Sequence, residues 1–430
     1  MNRQLFVWML LLLFSLPGKA QQFSLEKCLR LGRENSPDFK IQMLKVEQKK
    51  TAKRSFAQQF LPEVGISTSH AYNFGSSIDP STNNRLPSNI QSNTFSLDAR
   101  IQLFDFSKWF TTGIQELDIE IEKAELTVIE NRFCLLVLEK YMKALSLQEW
   151  AATQDFQVQN SAIQLRRIEN EVTEGQRPQS DLYDINVIYL QDQASFEETS
   201  RKEILAKLEL LQLLNTSQTG AELLNLSVPE SLSGNDQFIV DEHPVLNKYR
   251  IYQEKSEKEY RQLLSNVLPT LGINYSFGTF FAQQINNFSD TRFQFGNQLK
   301  ENKSHYIGVS LYIPLFNKGI NRQQRHLKLM EQQSLNEETA KERKRLDDFV
   351  AGEQTKLALL KKARYSLEEL KKASLKSFET TESKYVFAKI DASVYKSAKN
   401  QLLQAQFNLL SNQLEQLAAL WSLKLAFGTI

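Results

Sequence analysis

The sequence predicts a mainly helical chain that also carries four membrane-spanning strands and is built as two copies of one unit. Three observations predict it. Short marks recur in the same order a little over 200 positions apart. Four stretches alternate apolar with polar residues at matching points of the two copies. Between Gly113 and Gly175 there is neither glycine nor proline, so one helix runs unbroken through that stretch.

Composition sets the bounds. The 430 residues include only 15 glycines and 10 prolines, which favours long elements over many short ones. A hydrophobic fraction of 41% and two cysteines exclude collagen, low-complexity disorder and a disulfide scaffold. Lys+Arg 52 against Asp+Glu 50 leaves +2. The charge is too small for a nucleic-acid binder, which needs excess cations to displace counterions from phosphate.

At the N-terminus Arg3 precedes the apolar run Leu5 to Leu16, and Pro17-Gly18-Lys19-Ala20 follows. This reads as a signal peptide over residues 1–20, cut after Ala20; the run is short for a membrane anchor. No cysteine follows the cut to take a lipid. Beyond it no run of 18 apolar residues occurs, so any membrane entry must use strands. Cys28 and Cys134 fall in helical patterns and read as small buried hydrophobes, their pairing left open.

Leu61-Pro62-Glu63-Val64-Gly65-Ile66 returns as Leu268-Pro269-Thr270-Leu271-Gly272-Ile273, and Pro37 returns as Pro244, both 207 positions on. Leu103-Phe104-Asp105 returns as Leu315-Phe316-Asn317, and Ser180 and Leu190 as Ser393 and Leu403. The expected organisation is a first repeat over 21–215, a linker over 216–237 and a second repeat over 238–430, each reading helix, strand, loop, strand, long helix, helix.

The strands follow from period-two alternation. Phe95, Leu97, Ala99, Ile101 and Leu103 face away from Ser96, Asp98, Arg100 and Gln102. Ile307, Val309, Leu311, Ile313 and Leu315 form a second apolar row; Val64, Ile66, Thr68, Tyr72 and Phe74 and, in the other copy, Leu271, Ile273, Tyr275, Phe277 and Phe281 form two more. Each is about the ten residues of a tilted membrane strand. Leu97, Ile101, Ile307, Val309, Leu311 and Ile313 are thus expected to face lipid, and Ser96, Asp98, Arg100 and Gln102 water. Gly75 to Thr94 and Gln284 to Ser304 read as polar loops. Phe60, Phe104, Phe106, Trp109 and Phe110 resemble an interfacial girdle. Pro62, Pro269, Asp105, Pro314 and Asn317, with Lys108 and Lys318, mark strand-helix junctions. An ordinary sheet packed on a protein core is the alternative.

Ile114, Leu117, Ile121, Ala124, Val128, Leu135, Leu138, Met142, Leu145, Ala152, Phe156 and Ile163 fall on an alternating three-and-four spacing interrupted only by Asn131, Glu149 and Gln159, a coiled-coil seam on a helix of about 90 Å. The last helix has the seam Leu403, Phe407, Leu410, Leu414, Leu417, Trp421. A helix of about 25 residues after Pro37 and one of about 36 after Pro178 would together match the long one. Four strands cannot close a sheet, and open edges are not tolerated in hydrocarbon. Two chains would give eight strands filled by side chains; three give twelve and a lumen suited to Asp98 and Arg100.

Phe23-Ser24-Leu25-Glu26-Lys27-Cys28-Leu29 with Asn35-Ser36-Pro37, the paired Leu-Pro marks, and the strand exit Pro314-Leu315-Phe316-Asn317-Lys318-Gly319 resemble the TolC family of outer membrane efflux proteins over essentially the whole mature chain. The resemblance implies a TolC-like homotrimer with a shared 12-stranded β-barrel in outer-membrane lipid, continued by a long α-helical barrel across the periplasm. It implies a passive exit duct working with a periplasmic adaptor (membrane fusion) protein and an inner-membrane pump of RND or ABC type. It also places aperture and docking groups at the helical turns. The first turn offers Gly175, Arg177, Asp181 and Asp184, the second Tyr385, Ala388, Lys389 and Asp391. Ala388 stands where the family has glycine, and Val394 and Ser397 where it has an aspartate pair.

No phosphate loop, nucleophile elbow, zinc-protease motif or Cys-x-x-Cys occurs, so no catalysis and no cofactor are expected. His70, His243, His305 and His326 lack ligand spacing, so no metal site is expected either. The competing reading is a periplasmic or surface coiled-coil structural protein without a channel.

Overall fold

A computed structural model describes residues 21–78, 81–87, 89–216, 220–230, 238–285 and 294–427. The predicted signal peptide lies outside the described residues. The strands are β1 (Gln21–Phe23), β2 (Glu63–Asn73), β3 (Ser76–Ile78), β4 (Arg85–Pro87), β5 (Ile90–Phe104), β6 (Leu224–Leu226), β7 (Thr270–Gln284) and β8 (Ser304–Tyr312). The helices are α1 (Leu25–Asn35), α2 (Pro37–Ala52), α3 (Phe106–Thr173), α4 (Gln179–Leu213), α5 (Pro244–Ser265), α6 (Phe295–Glu301), α7 (Ile320–Val386) and α8 (Ala392–Ala426). The doubling is visible in the lengths. Helices α3 and α7 have 68 and 67 residues, and α4 and α8 have 35 each.

The chain divides into two compact units. One comprises Lys45–Lys123 and Lys248–Thr339 and holds a four-stranded sheet. Its order is β2-β5-β7-β8, with every pair antiparallel. Pro62 and Pro269 stand immediately before β2 and β7, and Pro314 lies just past β8; lacking an N–H, proline marks where a ladder starts or stops. Between Gln102 and Phe104 the register with β7 slips, so Phe104 rather than Leu103 pairs with Leu271. The expected alternation therefore ends at Ile101, because a bulge inserts one residue.

The loops are more ordered than expected. Strands β3 and β4 form a small hairpin, and β5 already starts at Ile90. β7 outruns β8 beyond Gly278, and there α6 covers its edge. The Gln298 amide accepts from Ala282 N at 2.9 Å and donates to Ala282 O at 3.0 Å, Asn302 donates to Phe280 O at 2.8 Å, and Phe295 packs 5.1 Å from Phe281. A side-chain amide thus supplies the hydrogen bonds that a neighbouring strand would.

Helix α2 has 16 residues rather than about 25. It stops because Arg54 N is taken by Gln115 Oε1 at 3.0 Å and Ser55 and Gln58 bond reciprocally at 2.8 and 3.2 Å, starting a short 3₁₀ turn. Within this unit Lys53–Glu116 at 2.8 Å and Lys255–Asp118 at 2.6 Å tie α3 to its neighbours.

The other unit comprises residues up to Leu44, Ala124–Asn247 and Ala340–Ile430. Ser24 caps α1 through a bond from Lys27 N at 3.2 Å, and Pro37 opens α2 at the position where its missing N–H is harmless. The core gathers Leu25, Cys28 and Leu29 of α1, Cys134, Val137, Tyr141 and Leu145 of α3, Leu210 of α4, and Leu414 and Trp421 of α8. Both cysteines are free and buried, and burial pushes the Cys28 thiol up to about 12. The expected linker is partly structured. β6 pairs in parallel with β1, and Gln148 clasps it, donating to Leu226 O and accepting from Leu226 N, both at 2.9 Å.

The α3 seam is buried at Leu117, Ile121, Ala124, Val128, Leu138, Met142 and Leu145, then changes face. Ala152, Phe156 and Ile163 are exposed, whereas Ala151, Gln157, Ser161 and Ile168 are buried. The polar contacts of Ser161, described below, select that face. In α8 Leu414 and Trp421 are buried as expected, while Phe407 is exposed and Leu402, Ala405 and Leu409 are buried instead.

Candidate functional site

The four-stranded sheet has two chemically distinct faces. Residues directly opposite each other in a ladder project to the same side. Pairing Ser96 with Ser67, Asp98 with Gly65 and Ser276, Arg100 with Glu63 and Asn274, and Gln102 with Gly272 and thence Ser310 puts all four predicted polar residues on one face. That face is internally bonded: Ser96 Oγ and Ser276 Oγ donate to Asp98 at 2.8 and 2.7 Å, and Arg100 Nε donates to Asn274 Oδ1 at 3.1 Å. Pairing Leu97 with Ile66 and Phe277, Ile101 with Ile273, Ile273 with Val309, Ile307 with Tyr275 and Leu311 with Leu271 builds the opposite, apolar face. Ile313 lies one residue beyond β8.

The apolar face is bare. Ile66 is 82% exposed, Ile307 73% and Val309 70%. Both border strands, β2 and β8, have a partner on one side only. Among the described residues no helix is long and apolar enough to cross a membrane.

At the junctions Asp105 caps α3, its Oδ1 accepting from Ser107 N at 2.9 Å and Ser107 Oγ at 2.7 Å. Lys108 donates to Gln59 O at 2.7 Å. Asn317 acts through its backbone, its carbonyl accepting from Ile320 N at 3.2 Å. Of the expected girdle, Trp109 stands edge-on to Phe56 at 5.8 Å and Phe104 to Phe106 at 4.4 Å.

The two helical turns, 174–178 and 387–391, meet through Arg177. Gly175 has φ +75°, where glycine carries no steric cost, and sends the chain back toward Arg177 and Pro178. The Arg177 side chain is 3% exposed; its Nε pairs with Glu171 at 2.6 Å and its NH1 with Asp181 at 3.4 Å. Its NH2 donates to the carbonyls of Tyr385 at 2.6 Å and Val386 at 3.1 Å. Those carbonyls end α7, where a cation is favoured by the helix dipole.

Tyr385 lies beneath, stacked on Tyr395 at 4.8 Å amid Ile168, Ile185 and Ile188. Burial raises the pKa of both tyrosines. Ala388 takes φ +55°, a left-handed conformation that strains an alanine backbone. Lys389 sits 5.9 Å from the Phe387 ring, and Asp391 begins α8 through its backbone carbonyl. Asp184 is exposed and forms no ion pair among the described residues. Thus Arg177, Asp181 and Tyr385 come together, Asp184 and Asp391 stand apart, and Glu171 joins the group. The i, i+6 spacing across a glycine turn was the only sequence signal for Glu171.

A second polar centre was not foreseen. Lys399 of α8, 2% exposed, pairs with Asp192 of α4 and donates to Ser161 Oγ of α3 at 2.7 Å; Ser161 also bonds to Asp192. Burial holds the Lys399 ammonium below the ordinary lysine range, and the Asp192 carboxylate opposes that shift. A cavity of about 430 Å³ adjoins it, lined by Gln157, Gln191 and Asn400 among others. One residue from each of three helices makes this a cross-tie.

Residues 239–429 match the family model for outer membrane efflux proteins. No curated protein matches the sequence. Among solved structures the chain is similar to the outer membrane protein VceC from Vibrio cholerae, at 14% identity and a TM-score of 0.77, covering 94% of this chain and 96% of that one. It is also similar to CusC, at 12% identity, TM-score 0.75 and coverage of 94% and 91%. The Campylobacter jejuni CmeC outer membrane channel is similar at 13% identity, TM-score 0.75 and coverage of 94% and 85%. The second half of the chain thus matches the outer membrane efflux protein family model, and nearly all of the chain shares the fold of these outer membrane channels.

Proposed function

We propose that the protein is a passive exit duct of the outer membrane, assembled as a homotrimer. The observation that carries this reading is the four-stranded sheet with one polar face, one bare apolar face and two unpaired borders. Each unpaired backbone group costs several kcal/mol in hydrocarbon, so the borders demand partners. Three copies joining β8 to β2 give twelve strands, lipid on the Leu97, Ile101, Ile307, Val309 and Leu311 side, and water on the Ser96, Asp98, Arg100 and Gln102 side. The helical part extends into the periplasm, where the turns around Arg177 and Ala388 are the docking and closure region for a periplasmic adaptor and an inner-membrane pump of RND or ABC type. Small molecules or proteins leave through the duct. Nothing in the site favours a coiled-coil structural protein, whose sheet would bury its apolar face.

The test is fractionation of native membranes, cross-linking, and conductance in planar bilayers. A heat-modifiable trimer in the outer-membrane fraction that conducts ions supports the duct. A soluble monomer refutes it.

A further inference from the structure

The start of α7 breaks the usual electrostatics of a helix. A helix N-terminus carries partial positive charge and favours acids in its first turn. Here the first turn has none, and from Asn317 the next acid is Glu331. Lys318, Arg322, Arg325 and Lys328 fill the interval, with His326. Helix α3, at the corresponding point of the first copy, is capped by Asp105.

Of these cations only Lys328 is answered by carboxylates among the described residues, those of Glu259 and Glu331. The acids of α5 are all engaged: Glu254 with Lys258, Glu257 with Arg261, and Glu259 with Lys255 and Lys328. Arg322, Arg325 and His326 form no ion pair among the described residues, and Arg325 Nε is buried without a hydrogen-bond partner. These three line a cavity of about 490 Å³ with Tyr260, Gln323 and Leu329. Asn321, in the first turn of the same helix, is 5% exposed, with neither side-chain polar atom bonded. Such a gathering costs free energy until an anion enters.

The neighbouring segment says where the anion comes from. Leu315 and Phe316, immediately before the turn at Lys318 and Gly319, are 93% and 85% exposed, and Tyr312 at the end of β8 is exposed as well. Apolar and aromatic side chains followed within two turns by arginines are the pattern of a membrane interface.

We propose that the cavity of Arg322, Arg325, His326 and Tyr260 binds the phosphate of an anionic glycerophospholipid headgroup at the point where the chain leaves the membrane. The guanidinium groups take the phosphate oxygens, with geometry suited to two parallel hydrogen bonds. Leu315 and Phe316 lie along the acyl chains. The proposal rests on the membrane reading above and adds a lipid specificity to it.

The test uses the full-length protein, delipidated in detergent and titrated by native mass spectrometry with short-chain phosphatidylglycerol, the matching phosphatidylcholine, and inorganic phosphate. Phosphatidylglycerol is expected to bind in preference, and Arg322→Gln with Arg325→Gln to weaken it roughly 25-fold, about fivefold per cation. Arg322→Gln alone, at an exposed position, guards against misfolding and is expected to lose about fivefold. Equal binding of phosphatidylcholine, or an unchanged variant, overturns the proposal. Inorganic phosphate competing at equal concentration also overturns it, identifying a soluble anion instead. A protein found in the outer membrane without lipid preference defeats this inference alone, whereas a soluble protein defeats the membrane reading.

Discussion

Replacing Arg177 with methionine tests whether the two helical turns are clasped by a single guanidinium. Methionine keeps the length and apolar stem but deletes two ion pairs and two bonds to carbonyls at 2.6 and 3.1 Å. Removing one member of a buried pair costs about 3–5 kcal/mol. The lower end applies, because Glu171 and Asp181 retain 22% and 32% side-chain exposure and Glu171 keeps Arg167 at 3.4 Å. A loss of about 3 kcal/mol in local opening is roughly a hundredfold faster amide exchange. Hydrogen exchange with mass spectrometry reads it directly at 174–178 and 385–391. Exchange at both turns is expected to accelerate while the core around Cys28 and Tyr141 stays protected. Acceleration of less than threefold, or equal acceleration in that core, would refute the clasp.

Three further outcomes are expected. Burial, with the charge of Arg345, holds His243 down at about 4, below its ordinary 6.5; the unfolded chain therefore takes up the proton first. Its contribution of about 3 kcal/mol is fully present above about pH 6.5 and lost as pH falls toward 4. Thermal melts should be flatter over that window in His243→Leu. Lys399→Met strands Asp192 and should cost about 3 kcal/mol, most of it restored in Lys399→Met with Asp192→Leu, as circular dichroism melts in detergent will read. Ala388→Gly relieves left-handed backbone and should stabilise the second turn by about 1 kcal/mol, seen as slower exchange at 385–391.

The sequence was most legible where one physical rule acts alone. Period-two alternation located all four long strands, because one face of each must be apolar whatever else it touches. The absence of glycine and proline located α3, and Pro37 and Pro178 located helix starts. It was less legible where partners decide. Leu103 looks like any alternating residue, and only its pairing with β7 reveals the bulge. The seam beyond Leu145 turns aside because Ser161 answers Lys399, more than 200 positions away. The turn residues were visible one by one as charges near helix ends. That Arg177 reaches the end of α7, while Asp184 points elsewhere, depended on tertiary contact.

The amide of Gln298 has a consequence for how chains can associate. A strand approaching β8 meets nine residues of open ladder; past them α6 and its amide already occupy the hydrogen-bonding groups of β7. An incoming chain that slid outward would gain no rungs and would strike a helix. The protein therefore carries its own end-stop, and alignment between copies is written into a loop rather than left to the strands that zip together.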